Sequence, residues 1–202
     1  MFMQIIQGKV TDPEAARRLL DQWQDDLQGG ARGWLGGTYG VTDDGMLVAC
    51  VRFTDAAAAQ ANSLRPEQGM WWREMEKCFS GPITFHDCDD VRLLMGGGSD
   101  EARFVQVIQG RVRDRERFLA LMDSSGEMIS RHRPDILGAT IAIDDDGVVT
   151  ETVAFTDEQA ARQAEQRELP AEARDLVDEE MGLLEDVQFL DLHRPWFASA
   201  RT

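Results

Sequence analysis

The sequence predicts an α+β fold made of two tandem copies of one β-α-β-β-α-β unit, and two observations predict it. First, Val107-Ile108-Gln109-Gly110-Arg111-Val112 rewrites Ile5-Ile6-Gln7-Gly8-Lys9-Val10. With those two stretches superposed, Asp12 meets Asp114, Leu35-Gly36 meets Leu137-Gly138, Asp43-Asp44-Gly45 meets Asp145-Asp146-Gly147, and Phe53-Thr54-Asp55 meets Phe155-Thr156-Asp157. About a third of the positions from Gln4 to Asn62 recur identically without a gap, which marks an internal duplication. Second, each copy alternates apolar runs lacking helical period with segments whose apolar residues recur every three to four positions.

The elements follow in order. Residues 3–10 are a short apolar run that reads as a strand. Asp12 then supplies an N-cap and Pro13 the first helical position, a strong helix-start pairing. Leu19, Leu20, Trp23 and Leu27 give that helix its apolar face, and Gly29-Gly30 ends it. In the second copy Asp114 opens the equivalent helix, with Phe118, Leu121, Met122 and Ile129 facing inward. Two extended segments, Trp34–Val41 and Met46–Phe53, flank Asp43-Asp44-Gly45, whose Asp-Gly step supplies the positive dihedrals of a tight hairpin. The hairpin repeats around Asp146-Gly147. Thr54-Asp55 opens an Ala-rich helix, Arg65-Pro66 interrupts it, and a further helix is expected over about 67–79. The last strands are expected at 91–95 and 187–192.

This order is the split βαβ arrangement of ferredoxin-like domains, a four-stranded antiparallel sheet with two helices on one face. The expected domains are residues 1–95 as the first repeat, 96–102 as a Gly-rich linker, and 103–202 as the second repeat with a C-terminal tail. Both faces of Met46–Phe53 are apolar, so the side without helices needs a cover. The other copy is the obvious one, and the linker spans on the order of 15 Å. The expectation is two sheets packed face to face as an intramolecular pseudo-dimeric barrel.

Composition narrows the function. Lys plus Arg number 21 against 37 Asp plus Glu, a formal charge of -16, which repels nucleic acid and anionic membrane surfaces. Cys50, Cys78 and Cys88 cannot all pair within one chain, so a secreted disulfide framework is not expected and a cytoplasmic setting is. No signal peptide and no apolar run approaching the roughly 18 residues of a membrane helix is visible.

The duplicated unit, with its Ile-Gln-Gly strand, Asp-Gly hairpin and Phe-Thr-Asp helix entry, resembles the dimeric α+β barrel superfamily, within it the antibiotic-biosynthesis-monooxygenase type of domain. The resemblance implies that each copy stands for one subunit of a homodimer, with a ligand pocket between sheet and helices. It implies a cofactor-independent oxygenase acting on a hydrophobic aromatic molecule, with Asn62, Trp72 and Arg73 approximating a pocket of Asn, Trp and a proton-transfer group. Haem-degrading members carry an Asn, Trp, His set. Here the Asn expected near the end of the first strand is Gln7 or Gly8, and His86 lies beyond the helices, in an expected loop. No cofactor is therefore expected, and haem is disfavoured. The alternative, from another class, is a non-catalytic ligand-binding or scaffold protein, since no convincing acid-base set appears.

The most informative stretch places Trp71, Trp72, Met75, Cys78 and Phe79 within about 120° of arc on a helical wheel. Each buried Trp hides roughly 150–250 Å², so this face is covered by core, partner or ligand. The second copy holds Ala173, Arg174, Val177, Glu180 and Met181 at these positions. The expectation is that the first half keeps an aromatic pocket, from Trp23, Trp71, Trp72, Met75, Phe79 and Gln7, with Asn62, Arg73 or His86 as catalytic polar groups. The second half is expected to have lost that pocket or turned it to other chemistry. Gln7 and Gln109 lie mid-strand, where an amide needs a partner, and a role at the sheet junction is the expectation. Glu151 interrupts an otherwise apolar strand face of Val149, Val153 and Phe155. A carboxylate there is desolvated and suited to general base work, or else it points to a polar opening or pairs with Arg111 or Arg174, the favoured reading. His86-Asp87-Cys88-Asp89-Asp90 is expected to be a solvated loop rather than a metal site. The expected partner is a hydrophobic or aromatic small molecule, with further homo-oligomerisation left open.

Overall fold

The computed structural model describes residues 1–200. In chain order the elements are β1 (Phe2–Lys9), α1 (Pro13–Asp26), β2 (Trp34–Val41), β3 (Met46–Phe53), α2 (Ala56–Ser63), α3 (Pro66–Glu76), β4 (Thr84–Cys88) and β5 (Asp90–Leu94). There follow β6 (Phe104–Val112), α4 (Arg115–His132), β7 (Ile136–Ile143), β8 (Val148–Phe155), α5 (Glu158–Glu165), α6 (Ala171–Gly182), β9 (Leu184–Leu192) and β10 (Trp196–Ser199). They form two compact units, one of residues 1–89 with the tail from Trp196, the other of residues 90–195.

Each unit is a five-stranded antiparallel sheet with helices on one face. The first has strand order β10-β2-β3-β1-β4 and the second β5-β7-β8-β6-β9. The four strands of each ferredoxin-like repeat are thus joined by a fifth, and the fifth is exchanged. The strand expected at 91–95 to complete the first repeat is β5, and it pairs with β7 in the second sheet, Arg92 facing Ile141. The first repeat is instead completed by β4, which pairs Ile6 with Phe85 and Ile5 with His86. The stretch 86–90 is therefore two strand ends rather than a solvated loop, and Cys88 is fully buried. The tail supplies β10, whose Trp196 pairs with Tyr39 of β2.

The sequence's capping logic holds locally. Asp12, Asp55, Asp114 and Asp157 each accept from the backbone N–H three residues on, at 2.8–3.0 Å. The hairpin turns differ from the expectation that the Asp-Gly step supplies positive dihedrals at both residues. Gly45 N–H donates to Thr42 at 2.9 Å and only the glycine has positive φ, +84°, so the Asp before it stays in the ordinary region. This is a turn closed by a left-handed glycine, which suits the longer hairpin loops, and Gly147 (φ +77°) repeats it.

In the first unit the helix-facing side of the sheet carries Ile6, Tyr39, Ala49, Val51 and Phe53, packed with Trp23 and Trp34. The other side is buried too, with Met3, Ile5, Val48 and Cys50. The second unit repeats this with Phe104, Ile141, Val149, Val153 and Phe155 against Phe118 and Met122 of α4. No helix among the described residues is long and apolar enough to cross a membrane.

Candidate functional site

In the first unit a cavity of about 300 Å³ opens between the sheet and the helices. Strand alternation selects its floor, since side chains two apart share a face. Gln4 and Ile6 of β1, Ala49, Val51 and Phe53 of β3, Tyr39 of β2 and Phe85 of β4 all line it. The helices supply a wall in which aromatic rings succeed one another. Trp34 lies 5.1 Å from Trp23, Trp23 6.5 Å from Trp71, Trp71 6.0 Å from Trp72, and Trp72 5.5 Å from Phe85, centroid to centroid. These separations are those of favourable tilted and edge contacts. Gly8 makes the wall possible, because a Cβ there would stand 2.6 Å from the Phe79 ring.

The indole N–H groups fix the wall. Trp23 donates to Gln68 Oε1 at 2.6 Å, Trp71 to the carbonyl of Leu19 at 2.8 Å and Trp72 to Glu76 Oε1 at 2.9 Å. Trp34 is 5% exposed and its Nε1 has no partner among the described residues. Asn62, also buried, accepts at Oδ1 from Arg65 at 2.9 Å, and no hydrogen bond from its Nδ2 to a described residue is present. Burial pushes the Tyr39 phenol far above its ordinary value, so it remains a neutral hydroxyl.

Six of the residues singled out in the sequence line this cavity: Trp23, Asn62, Trp71, Trp72, Met75 and Phe79. Three do not. Gln7 alternates with Gln4 and Ile6 and so projects from the opposite face of β1. His86 pairs with Ile5 on that same opposite face. Arg73 is exposed on the outer side of α3. Trp34, Tyr39, Gln68 and Phe85 complete the wall without having been named. The first two lie on the predicted hairpin; period-two alternation would have found Tyr39, whereas Trp34 shares its face only through the register shift between Trp34 and Gly36, which the sequence does not announce.

The second unit holds a larger cavity of about 590 Å³ at the equivalent place. The aromatic wall is gone, but the pocket is not. Apolar Ile108, Ile129, Ile136, Phe155 and Leu176 line it together with Glu151 and Glu180. These two stand where the first copy has Ala49 and Cys78. Glu151 is 6% exposed and its strand neighbours are Ile108 and Ile141. Its partner is the Glu180 carboxyl, not the expected Arg111 or Arg174. Arg111 donates to the Asp146 carbonyl, and Arg174 reaches Glu168 at 3.3 Å. Burial first, and the facing Glu180 second, drive the Glu151 carboxyl well above the usual range; burial raises Glu180 as well. Glu151 is buried and Glu180 half-buried, and two carboxylates this close repel, so both hold their protons more tightly than free carboxyls.

Beside this cavity Glu158, Asp191 and His193 hold ligand-type atoms within 4.8 Å of one another. The Arg162 guanidinium bonds Asp191 and stands 3.6 Å from Glu158, so this cluster already has its cation.

No protein-family model matches the sequence, and no curated protein matches it. Solved structures do match in fold. A candidate monooxygenase of Lactobacillus acidophilus NCFM superposes with TM-score 0.76 at 13% identity, over 98% of this chain and 96% of that one. An anthrone oxidase-like protein superposes with TM-score 0.71 at 11% identity, over 100% and 94%. A ferredoxin-fold protein of Listeria monocytogenes, related to antibiotic biosynthesis monooxygenases, gives TM-score 0.52 at 8% identity over 100% and 96%. The chain has the duplicated ferredoxin-like fold of these monooxygenase-related proteins, along nearly its whole length.

Proposed function

We propose that the first unit binds a flat hydrophobic aromatic molecule bearing a carbonyl or hydroxyl oxygen, and oxygenates it without a cofactor. The observation that carries this reading is the run of aromatic rings Trp34, Trp23, Trp71, Trp72 and Phe85 around one cavity. A cavity of about 300 Å³ falls at the lower end of the roughly 300–1,000 Å³ typical of ligand pockets. The unused donors of Trp34 and Asn62 suit a ligand oxygen. Held against that oxygen, they stabilise the enolate form of an anthrone-like ring ketone and so ease loss of a proton from the methylene across the ring, which is conjugated with the ketone through the flanking aromatic rings. Dioxygen then oxidises the activated methylene to a carbonyl. One oxygen atom enters the product and the other leaves as water with the two methylene hydrogens, so no outside reductant is consumed.

Oxygen uptake with a panel of anthrones and hydroquinones tests the chemistry. Uptake by the wild type should fall roughly 100-fold in Asn62→Ala, the size of loss seen when one oxyanion donor is removed. Binding of the same compounds should be lost in a folded Trp71→Ala/Trp72→Ala variant, and unchanged binding there refutes the site. A second reading, binding without chemistry, is favoured by the placement of Arg73 and His86 off the wall. Saturable binding with no oxygen uptake decides for it.

A further inference from the structure

We propose that the second unit holds a separate binding site for an apolar organic cation, an amine whose ammonium group is received by Glu151 and Glu180. The geometry begins with a mismatch of charge. Around this cavity stand His132 and Arg133 at the end of α4, Arg162 and Glu165 on α5, and Asp191 on β9, together with the two glutamates from β8 and α6. Both arginines in that set are already engaged. Arg133 forms a fork with Asp135 at 2.8 Å, and Arg162 pairs with Asp191 and with Glu165 at 3.3 Å. His132 stands 3.7 Å from Glu172, beyond hydrogen-bonding reach, and its buried Nε2 has no hydrogen-bond partner among the described residues. Neither Glu151 nor Glu180 forms an ion pair with a described Lys, Arg or His.

A buried carboxyl is ordinarily paired with a cation or kept off apolar walls. Here a buried Glu151 and a half-buried Glu180 meet apolar walls in one cavity, on the middle strand of a sheet and on a helix. They replace an alanine and a cysteine of the sister unit. The first copy shows that the fold closes without them, so their presence answers to something other than packing. A ligand with a hydrophobic body fills the walls, and its ammonium supplies the missing positive charge. Three N–H donors match the carboxyl oxygens of the pair.

Charge balance sets the proton traffic. The free pair holds its protons more tightly than free carboxyls, and a bound ammonium favours the ionised carboxylates, so binding releases protons to solvent wherever the free pair is still protonated. Affinity therefore rises with pH from about 4.5, the ordinary glutamate range, until the pair has titrated.

The test exploits the placement of all five tryptophans in the first unit: Trp23, Trp34, Trp71, Trp72 and Trp196. Calorimetric titration of the full chain with 4-phenylbutylamine should show heat without quenching of tryptophan emission. Its heat should differ between phosphate and Tris buffers by the ionisation enthalpy of the released proton. The neutral 4-phenylbutan-1-ol should bind about 10- to 100-fold more weakly, the range for a lost charge-assisted contact. The isosteric Glu151→Gln/Glu180→Gln variant should remove that preference while keeping binding of the alcohol. The proposal is overturned if the wild type binds amine and alcohol alike, if it binds neither, if the amine quenches the tryptophans, or if the double variant keeps the preference. Failure here leaves the first cavity's reading intact, since that is read by tryptophan emission and oxygen uptake.

Discussion

Glu151 shows how much one residue can alter a duplicated fold. A carboxyl whose native value is raised above its unfolded value holds its proton more tightly when folded. Between those two values the native state binds more protons, so stability falls as pH rises, by up to about 1.4 kcal/mol per pH unit for one proton. Below about pH 4.5, the ordinary glutamate range, both states are protonated and the penalty vanishes. Glu151→Gln removes it, so the variant should gain stability over the wild type progressively as pH is raised from 4.5. Urea denaturation at pH 5 and pH 8 reads this, and an identical difference at both values would contradict the assignment. The sequence displayed this residue plainly, as one charge in an apolar strand face. Its partner was not legible, because Arg111 and Arg174 are as near in sequence terms as Glu180. Arg111 lies on β6, and the rotation of α6 decides whether Arg174 or Glu180 faces the strand.

At the scale of elements, what the sequence states locally is what the structure keeps. Asp-capped helices, the Arg65-Pro66 break and the two hairpins stand where composition and spacing put them. The aromatic stripe of α3 was legible for the same reason, because a helix's period fixes which side chains share a face. Strand partnership was not. β4 and β5 are separated by Asp89 alone, and nothing in their short runs says that one completes the first sheet and the other joins the second. His86 and Gln7 fell on the face away from the helices because a strand's period of two reverses orientation with every step. β10 makes the point testable. It closes the β2 edge of the first sheet, with Trp196 stacked on Tyr39 at 6.4 Å and the Arg17 guanidinium 5.6 Å from the Trp196 ring centroid. Ending the chain after Pro195 should lower the thermal midpoint of the first unit and promote association through the bared edge. An unchanged midpoint in a monodisperse sample would show that the strand contributes nothing.

Across the whole chain, duplication supplied two copies of one scaffold, and substitution gave them cavities of different chemistry. The first kept aromatic bulk at Trp71, Trp72 and Phe79; the second placed Ala173, Arg174 and Met181 there and set two carboxyls facing each other. The sequence comparison pointed to the first cavity and to a changed second one. The volume of the second was not legible, since it depends on what the smaller side chains leave open. The first cavity's reading as an aromatic binding site is the centre of the account. It is tested most directly by titrating the wild-type chain with anthrone under argon while following tryptophan emission. The account expects saturable quenching with one equivalent per chain. Quenching that rises linearly without saturation, or that saturates at two equivalents, would contradict it.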